Sequence, residues 1–410
     1  MLPEGWKRQT VADICEMQNG HGFGPDDWGT EGLPIIRIQN LNGGQNFDFY
    51  AGPTEPRWIV EPGQLLFAWA GSKGVSFGPT IWRGTRGVLN QHIFRVHAKE
   101  GIDNAWLYWA LRHVTDRIEA NAHGFKATLV HVKKSDIDQQ SVIVPDQGTQ
   151  TRIAEVMQTW DEAIAATEKL LANSRKQKQT LAQQVLRGIK RLGKFKTSAD
   201  WKNTPHGPIP ADWSYPRIGT VAKEVSGKHS SGADYPVLSC TKHGGLVDSL
   251  QYFKKRVFSE DLSTYKVVPC ESFVYATNHI EEGSIGYQNL YDFGLVSPMY
   301  TVFSTNDEVD DGYLYRLLKT EHYRQIFAAN TNSSVDRRGS LRWKDFKQIH
   351  IPLPSLPEQR AIAELIDLAD REIELIEKKL EMLREEKRAL MQQLLTGKRR
   401  VRVPASEATP

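Results

Sequence analysis

Cysteine is scarce: three occur in 410 residues, Cys15, Cys240 and Cys270, and none belongs to a CxxC pair. That excludes a disulfide-stapled scaffold and a zinc ribbon, and fits a reducing cytoplasm. No apolar run approaches the ~20 residues of a membrane span, and Met1–Trp6 shows no signal-peptide pattern. An excess of charge is lacking too. Lys and Arg number 52 against 49 Asp and Glu, a net charge of +3. A lone nucleic-acid binder is normally far more basic. If such a polymer is the partner, the basic surface is local or another subunit supplies part of it.

The familiar marks of chemistry are missing as well. There is no GxxxxGK[ST] loop for a nucleotide phosphate and no strand-linked GxGxxG; Gly20, Gly22 and Gly24 lie in a polar loop that opens no helix. No Asn/Asp-Pro-Pro-aromatic tetrapeptide appears, the element amino-methyltransferases place beside a flipped base. No HExxH or Cys/His grouping has metal spacing, and the 12 histidines are scattered. The expectation is a chain that performs no covalent chemistry and binds no metal or cofactor itself.

What the chain does have is itself, twice. At a shift of 209, residues 145–188 fall on 354–397 without a gap, and 17 of the 44 positions are identical. Unrelated sequences match at roughly one position in fifteen to twenty. Gln150/Gln359, Asp161/Asp370, Gln183-Gln184/Gln392-Gln393 and Gly188/Gly397 are among the matches. At a shift of 207, Leu2-Pro3 and Trp6 meet Ile209-Pro210 and Trp213, and Leu107-Tyr108 meets Leu314-Tyr315. Each copy also carries a Gly-Ser-x-Gly, at Gly71–Gly74 and Gly283–Gly286. A fixed internal period sets the architecture before any motif is weighed.

Both repeated segments read as long helices. Ile362, Ile366, Ala369, Ile373, Ile376, Leu380, Leu383, Lys387, Leu390 and Leu394 alternate steps of four and three, a coiled-coil seam. The first copy repeats it with Ile153, Met157, Trp160, Ile164, Thr167, Leu171, Ser174, Lys178, Leu181 and Val185. About 40 residues at ~1.5 Å each make a rod of roughly 60 Å. Two matching seams in one chain point to an intramolecular, antiparallel pair with a globular part at each end, related by a pseudo-twofold; a zipper between chains is the plainer alternative. Lys178 and Lys387 interrupt the seams at one register, either fixing it or snorkelling out. Gln183, Gln184, Gln392 and Gln393 lie off the seam yet match between copies, which makes them a candidate docking surface used twice.

The globular parts read as α+β, with short strands at 33–41, 64–70, 88–98 and near 137–144, and a helix at 102–119. The second copy follows with strands at 236–240, 272–276, 295–303 and 348–353 and a helix near 311–328. Loops between them hold side chains suited to base edges and phosphates. They are Arg37, Gln39, Asn40, Asn42, Ser72, Lys73, Asn90, Gln91, His92 and Lys126 in the first part. The second offers Lys242, His243, Thr277, Asn278, His279, Ser284, Asn332, Arg337 and Arg338. Each alone is ordinary surface; as a set at matching places they suggest DNA contact. Gly71–Gly74 would bring backbone N–H groups near a phosphate.

The lead-in Ile351-Pro352-Leu353-Pro354-Ser355-Leu356-Pro357-Glu358-Gln359-Arg360, the heptad helix ending at Gly397, and the Pro-x-x-Trp openings strongly resemble the specificity subunits of type I restriction–modification systems. The first copy departs at Pro145–Gln150, lacking the Glu-Gln-Arg run. The resemblance implies target recognition domains at 1–149 and 209–356, spacer helices at 150–192 and 357–397, a linker at 193–208 and a basic, disordered tail at 398–410. It implies that each domain reads one half of a gapped, bipartite sequence in double-stranded DNA, with helix length setting the gap. It further implies a cytoplasmic, non-membrane complex with two methyltransferase subunits, which use S-adenosylmethionine on an adenine in each half-site, and a restriction/translocase subunit. A coiled-coil scaffold joining two protein-binding domains is the competing reading; a system with methylation and cleavage in one partner is a third.

Overall fold

The computed structural model describes residues 2–121, 129–195, 200–225, 227, 234–331 and 339–402. The chain divides into two compact mixed α/β units. Unit 1 comprises Met1–Lys169 with Glu377–Pro410, and unit 2 comprises Leu170–Ile376. Each long helix, Gln147–Leu186 and Leu356–Leu395, is 40 residues and contributes one half to each unit.

In unit 1 a four-stranded antiparallel sheet runs in the order Cys15–Asn19, Ile93–Ala98, Leu65–Ala68, Gly78–Ile81. Leu65–Ala68 is buried at every position, as an inner strand covered on both faces should be. A second four-stranded sheet orders Phe49–Tyr50, Leu33–Ile36, Gly87–Leu89 and Ile59–Val60. The helix Asn104–Asn121 buries Trp106, Leu107, Ala110, Leu111 and Val114, the i, i+4 stripe of a helix lying on a core. Met391, Leu394 and Leu395 from the end of the second long helix complete that core.

Unit 2 repeats the first sheet's plan as Ala222–Glu224, Tyr300–Thr305, Ser272–Ala276, Ile285–Gln288. Val185 and Leu186 close its core from the end of the first long helix. One expected helix is two: Asp311–Leu318 and Glu321–Asn330. Thr320 breaks it by capping the second piece, its hydroxyl accepting the Tyr323 N–H at 3.3 Å. His113 holds that place in unit 1, offers no such cap, and the helix runs through.

Several expected strands also differ. Residues 33–41 are a strand only to Ile36, because Arg37 turns the chain into the helix Ile38–Leu41. Residues 88–98 break at Asn90–His92, and 295–303 at Ser297–Met299, where the chain leaves one sheet for another. The strand near 137–144 is only Ser141–Val144, because Lys134–Asp138 is a helix. Residues 348–353, rich in proline, form only isolated bridges, Ser214 with Leu353 and Arg217 with His350.

The repeated glutamines explain how each helix is set on its domain. Gln150 Nε2 donates to the Pro145 and Gly101 carbonyls at 2.9 and 3.2 Å, and its Oε1 accepts the Asp103 N–H at 2.8 Å. Gln359 does the same with Pro354 and Glu308, both at 3.0 Å, and with the Asp310 N–H at 2.8 Å. Asp103 and Asp310 in turn cap their helices, each accepting an N–H at 2.8 Å, from Trp106 and Tyr313. Both glutamines are essentially fully buried.

The repeated Pro-x-x-Trp openings receive the helix ends. Gly188 has φ +69° and its α-carbon faces Pro210 and Trp213; Gly397 has φ +71° and faces Pro3 and Trp6. Only glycine adopts such a turn without strain, and here a Cβ would also fall 2.4 Å from Pro210 or 2.7 Å from Pro3. The first helix therefore ends on unit 2, and the second ends on unit 1.

All the seam positions named above are buried or half-buried. In unit 1, Lys387 ion-pairs with Asp161, and Arg384 with Glu168. The pairs climb one segment as they descend the other. In unit 2, Lys178 ion-pairs with Asp370. The two Lys–Asp pairs are one pair written twice, since 209 separates both the lysines and the aspartates. Of the tail expected to be disordered, Lys398–Arg402 are placed, with Val401 against the unit 1 core; 403–410 lie outside the described residues. Among those residues, no helix is long and apolar enough to cross a membrane.

Candidate nucleic-acid interface

In unit 1 the structure brings Arg37–Asn42 beside Asn90–His92, because the Asn90 N–H donates to the Ile36 carbonyl at 3.0 Å. Arg37 is committed locally: it ion-pairs with Asp48 and lies 4.7 Å over the Trp28 ring. Asn40 is buried and holds the loop together. Its Oδ1 accepts the Arg37 N–H at 2.9 Å, and its Nδ2 donates to the Gly44 and Asn46 carbonyls at 3.1 and 2.9 Å. Gln39, Asn42 and Gln91 are exposed, while Asn90 and His92 are half-buried. His92 packs its ring 5.1 Å from Trp69.

The Gly71–Gly74 turn does not offer a free cradle. The Gly74 N–H donates to Glu119 Oε1 at 2.8 Å, Lys73 Nζ donates to the Glu119 carbonyl at 2.8 Å, and the Ser72 N–H donates to Ser76 Oγ at 2.7 Å. The turn fastens to the end of the helix Asn104–Asn121. Lys126 lies outside the described residues.

In unit 2, Lys242 and His243 are exposed at the turn between Leu238–Thr241 and Gly245–Asp248. Lys319 ties this turn to the segment carrying His279 and Ser284, donating to the Lys242 and Gly283 carbonyls at 2.9 and 2.8 Å. Burial pushes the Lys319 pKa down, with the Arg324 charge adding to it and Cys240 opposing. Thr277 Oγ1 donates to the Met299 carbonyl at 2.9 Å, Asn278 is half-buried, and Ser284 is buried. His279 sits 3.2 Å from Glu282 as an exposed i, i+3 pair. With Glu281 these two form the one cluster of metal-ligand type among the described residues. Asn332, Arg337 and Arg338 lie outside the described residues.

Sequence reasoning missed Lys319, whose importance lies in two distant carbonyls. It also missed a buried ion network at the head of the second long helix. Arg191 donates through Nε and Nη2 to Glu358 at 2.6 and 2.9 Å and through Nη1 to Asp212 at 2.9 Å. Trp213 Nε1 donates to Glu358 at 3.2 Å. Burial alone would lower the Arg191 pKa, but its bonds to Asp212 and Glu358, and their charges, carry it upward. Among the docking candidates, Gln183, Gln392 and Gln393 are exposed and Gln184 is half-buried. The Gln184 and Gln393 carbonyls accept the Lys190 and Arg399 N–H groups at 3.1 and 3.2 Å, closing the helix ends.

Two like units, with polar loops at one set of places and repeated anchoring glutamines, define a duplicated recognition protein. The chain belongs to the type I restriction modification DNA specificity family, whose domain matches residues 3–173 and 217–385, one copy in each half. It is 25% identical to the MjaVIII type I restriction enzyme specificity subunit of Methanocaldococcus jannaschii, over 98% of this chain and 94% of that protein. With the EcoBI specificity subunit of Escherichia coli it shares 22% identity, over 89% of this chain and 79% of that one. Among solved structures, a chain described in the complex assembly and conformational transition of the type I R-M system aligns with TM-score 0.62 and 15% identity, covering 97% of this chain and 99% of that one. The HsdS subunit of Thermoanaerobacter tengcongensis aligns with TM-score 0.53 and 15% identity, covering 97% and 98%. These likenesses establish the fold of a type I specificity subunit.

Proposed function

We propose that this chain is the DNA-reading, non-catalytic subunit of a type I restriction–modification complex. Each globular part, 1–149 and 209–356, recognises one half of a bipartite, gapped site in double-stranded DNA. The long helices pair as an antiparallel coiled coil, and their length sets the gap, because rigid spacing converts into half-site separation. The four repeated glutamines near the helix ends contribute to docking two methyltransferase subunits, through which a restriction/translocase subunit joins. Methylation of a flipped adenine belongs to those partners. The reading fits a cytoplasmic complex.

The observation that carries this reading is the exchanged Lys–Asp pair, Lys178 with Asp370 and Lys387 with Asp161. It supports one frame kept in duplicate for loop sets that share almost no sequence, as two recognition tasks would require. The test is a methylome. The chain is co-expressed with its neighbouring methyltransferase gene in a host lacking adenine methylation, and modified bases are read across the genome. One gapped motif with adenine modified in both halves is expected. Unmodified DNA, with the two proteins soluble and associated, would turn the reading toward a protein-binding scaffold.

A further inference from the structure

Unit 2 carries an exposed aromatic and basic platform that none of the loops discussed above includes. The short helix Ser249–Phe253 is firmly seated. Asp248 caps it by accepting the Leu250 and Gln251 N–H groups, both at 2.9 Å, and also accepts the Tyr291 hydroxyl at 2.9 Å. Ser249 is fully buried, with its hydroxyl 2.7 Å from that of Ser239. On this fixed base Leu250 is 53% exposed, Tyr252 52% and Phe253 37%. The chain then turns through Lys254, at φ 52°, into exposed Lys255 and Arg256. Lys254 and Lys255 pair with no carboxylate among the described residues. Arg256 is held over the Phe258 ring at 5.1 Å and donates to the Ser259 carbonyl at 3.1 Å.

A rigid apolar patch held in water needs a partner, and the charge beside it selects which. Protein interfaces deplete lysine at their centres. Three adjacent cations bordering two aromatic rings suit a polyanion with flat apolar surfaces, where cations meet phosphates and rings meet sugars and base edges. The platform also adjoins the candidate base-reading turn: the Tyr252 ring lies 3.8 Å from where a Cβ at Gly244 would sit, next to Lys242 and His243. Unit 1 has no counterpart at this place among the described residues. Ahead of its corresponding strand, Ile59–Val60, lies Ala51–Arg57, where Arg57 ion-pairs with Glu55 at 2.6 Å.

We propose that Tyr252–Arg256 is a phosphate-gripping platform of unit 2 for duplex DNA, so that the two half-sites are held unequally: unit 2 by charge and ring contact, unit 1 chiefly by amide-bearing loops. This rests on the reading of unit 2 as a DNA-recognition domain. The full chain, assembled with its methyltransferase subunits, is titrated with the duplex identified by the methylome across salt from about 50 to 200 mM, where phosphate contacts dominate the slope. Alanine at Lys254, Lys255 and Arg256 together is expected to flatten the slope of log K against log salt by about 2–3, at roughly 0.9 per phosphate contact. The recognised sequence stays the same. Tyr252→Ala with Phe253→Ala weakens binding but leaves the slope unchanged. A wild-type slope in the triple variant, with sequence preference intact, overturns the platform and spares the recognition reading. A wild-type complex with no preference for the duplex overturns both. Loss of methyltransferase association in the triple variant makes the patch a protein contact and overturns the platform.

Discussion

Thr149 and Glu358 occupy the same register of the two long helices, 209 residues apart, and hold them by different means. In unit 1, buried Thr149 donates from Oγ1 to exposed Asp146 at 2.7 Å and from its N–H to the same carboxylate at 2.9 Å, a local cap three residues long. In unit 2, Glu358 is buried against Arg191, which leaves the far end of the other long helix and also grips Asp212. One residue later the difference vanishes, since Gln150 and Gln359 make the same three hydrogen bonds. What the comparison teaches is where the fold is exacting. The buried glutamine must satisfy two carbonyls and one N–H at once, a demand only an amide meets. The neighbouring position has only to close the helix start, and two chemistries do so.

The largest effect should come from breaking the deeper closure. Glu358→Ala leaves Arg191 buried with one carboxylate of two and should cost unit 2 about 3–5 kcal/mol, whereas Thr149→Ala should cost unit 1 about 1 kcal/mol. Hydrogen exchange followed separately in the two units reads both; equal losses would mean that burial of the ion network contributes nothing. Next come the glutamines. Gln150→Leu and Gln359→Leu each strand one buried carbonyl and two half-buried backbone groups and should each cost about 2 kcal/mol, at ~1–3 for an unsatisfied buried group. The two losses should be equal; a clear inequality would show that the shared bonds are not equivalent supports.

The last effect is a pH dependence of unit 1 set by His113. Burial, with Arg117 adding to it, pushes His113 down to about 4 from 6.5. The unfolded chain therefore binds the proton first. Stability is fully present above about 6.5 and falls away as the pH drops toward about 4. His113→Gln should flatten that acid limb in unit 1, while unit 2, with Thr320 at this place, keeps its own profile. An unchanged protection factor in unit 1 between these pH values, with the intrinsic pH dependence of amide exchange divided out, would remove His113 from the account.

Much of this frame was legible in the sequence because it is periodic or duplicated. The helix seams follow from steps of four and three, and the glycines from their place after the last apolar residue. Asp161 and Asp370 were visible as repeated identities. Their role was not, because the partners Lys387 and Lys178 lie on the other helix. The Pro-x-x-Trp openings were legible as a repeat but silent as a seat for a glycine at the far end of the other copy. The loops were the least readable. Asn40, Ser284 and Lys73 look like surface polar groups, yet two are buried and one is tied to a helix end. Nothing in residue type separates a loop's internal fastener from its outward contact. Tyr252–Arg256 was overlooked because it belongs to no repeat, although two aromatics followed by three cations is a pattern open to view.

The seating of Gly397 against Pro3 and Trp6 sets an order of events during synthesis. Unit 2 is one unbroken stretch of chain, so every piece of its core has been made by the time Ile376 emerges. Unit 1 is begun first but completed last: Met391, Leu394 and Leu395 leave the ribosome after all of unit 2. Until then Trp6 lacks the helix end that packs against it in the finished fold. The second domain can thus be finished while the first still waits for its keystone, the reverse of the usual N-terminus-first sequence. A nascent chain stalled after Ile376 and before Met391 would hold all of unit 2 but lack the last part of the unit 1 core.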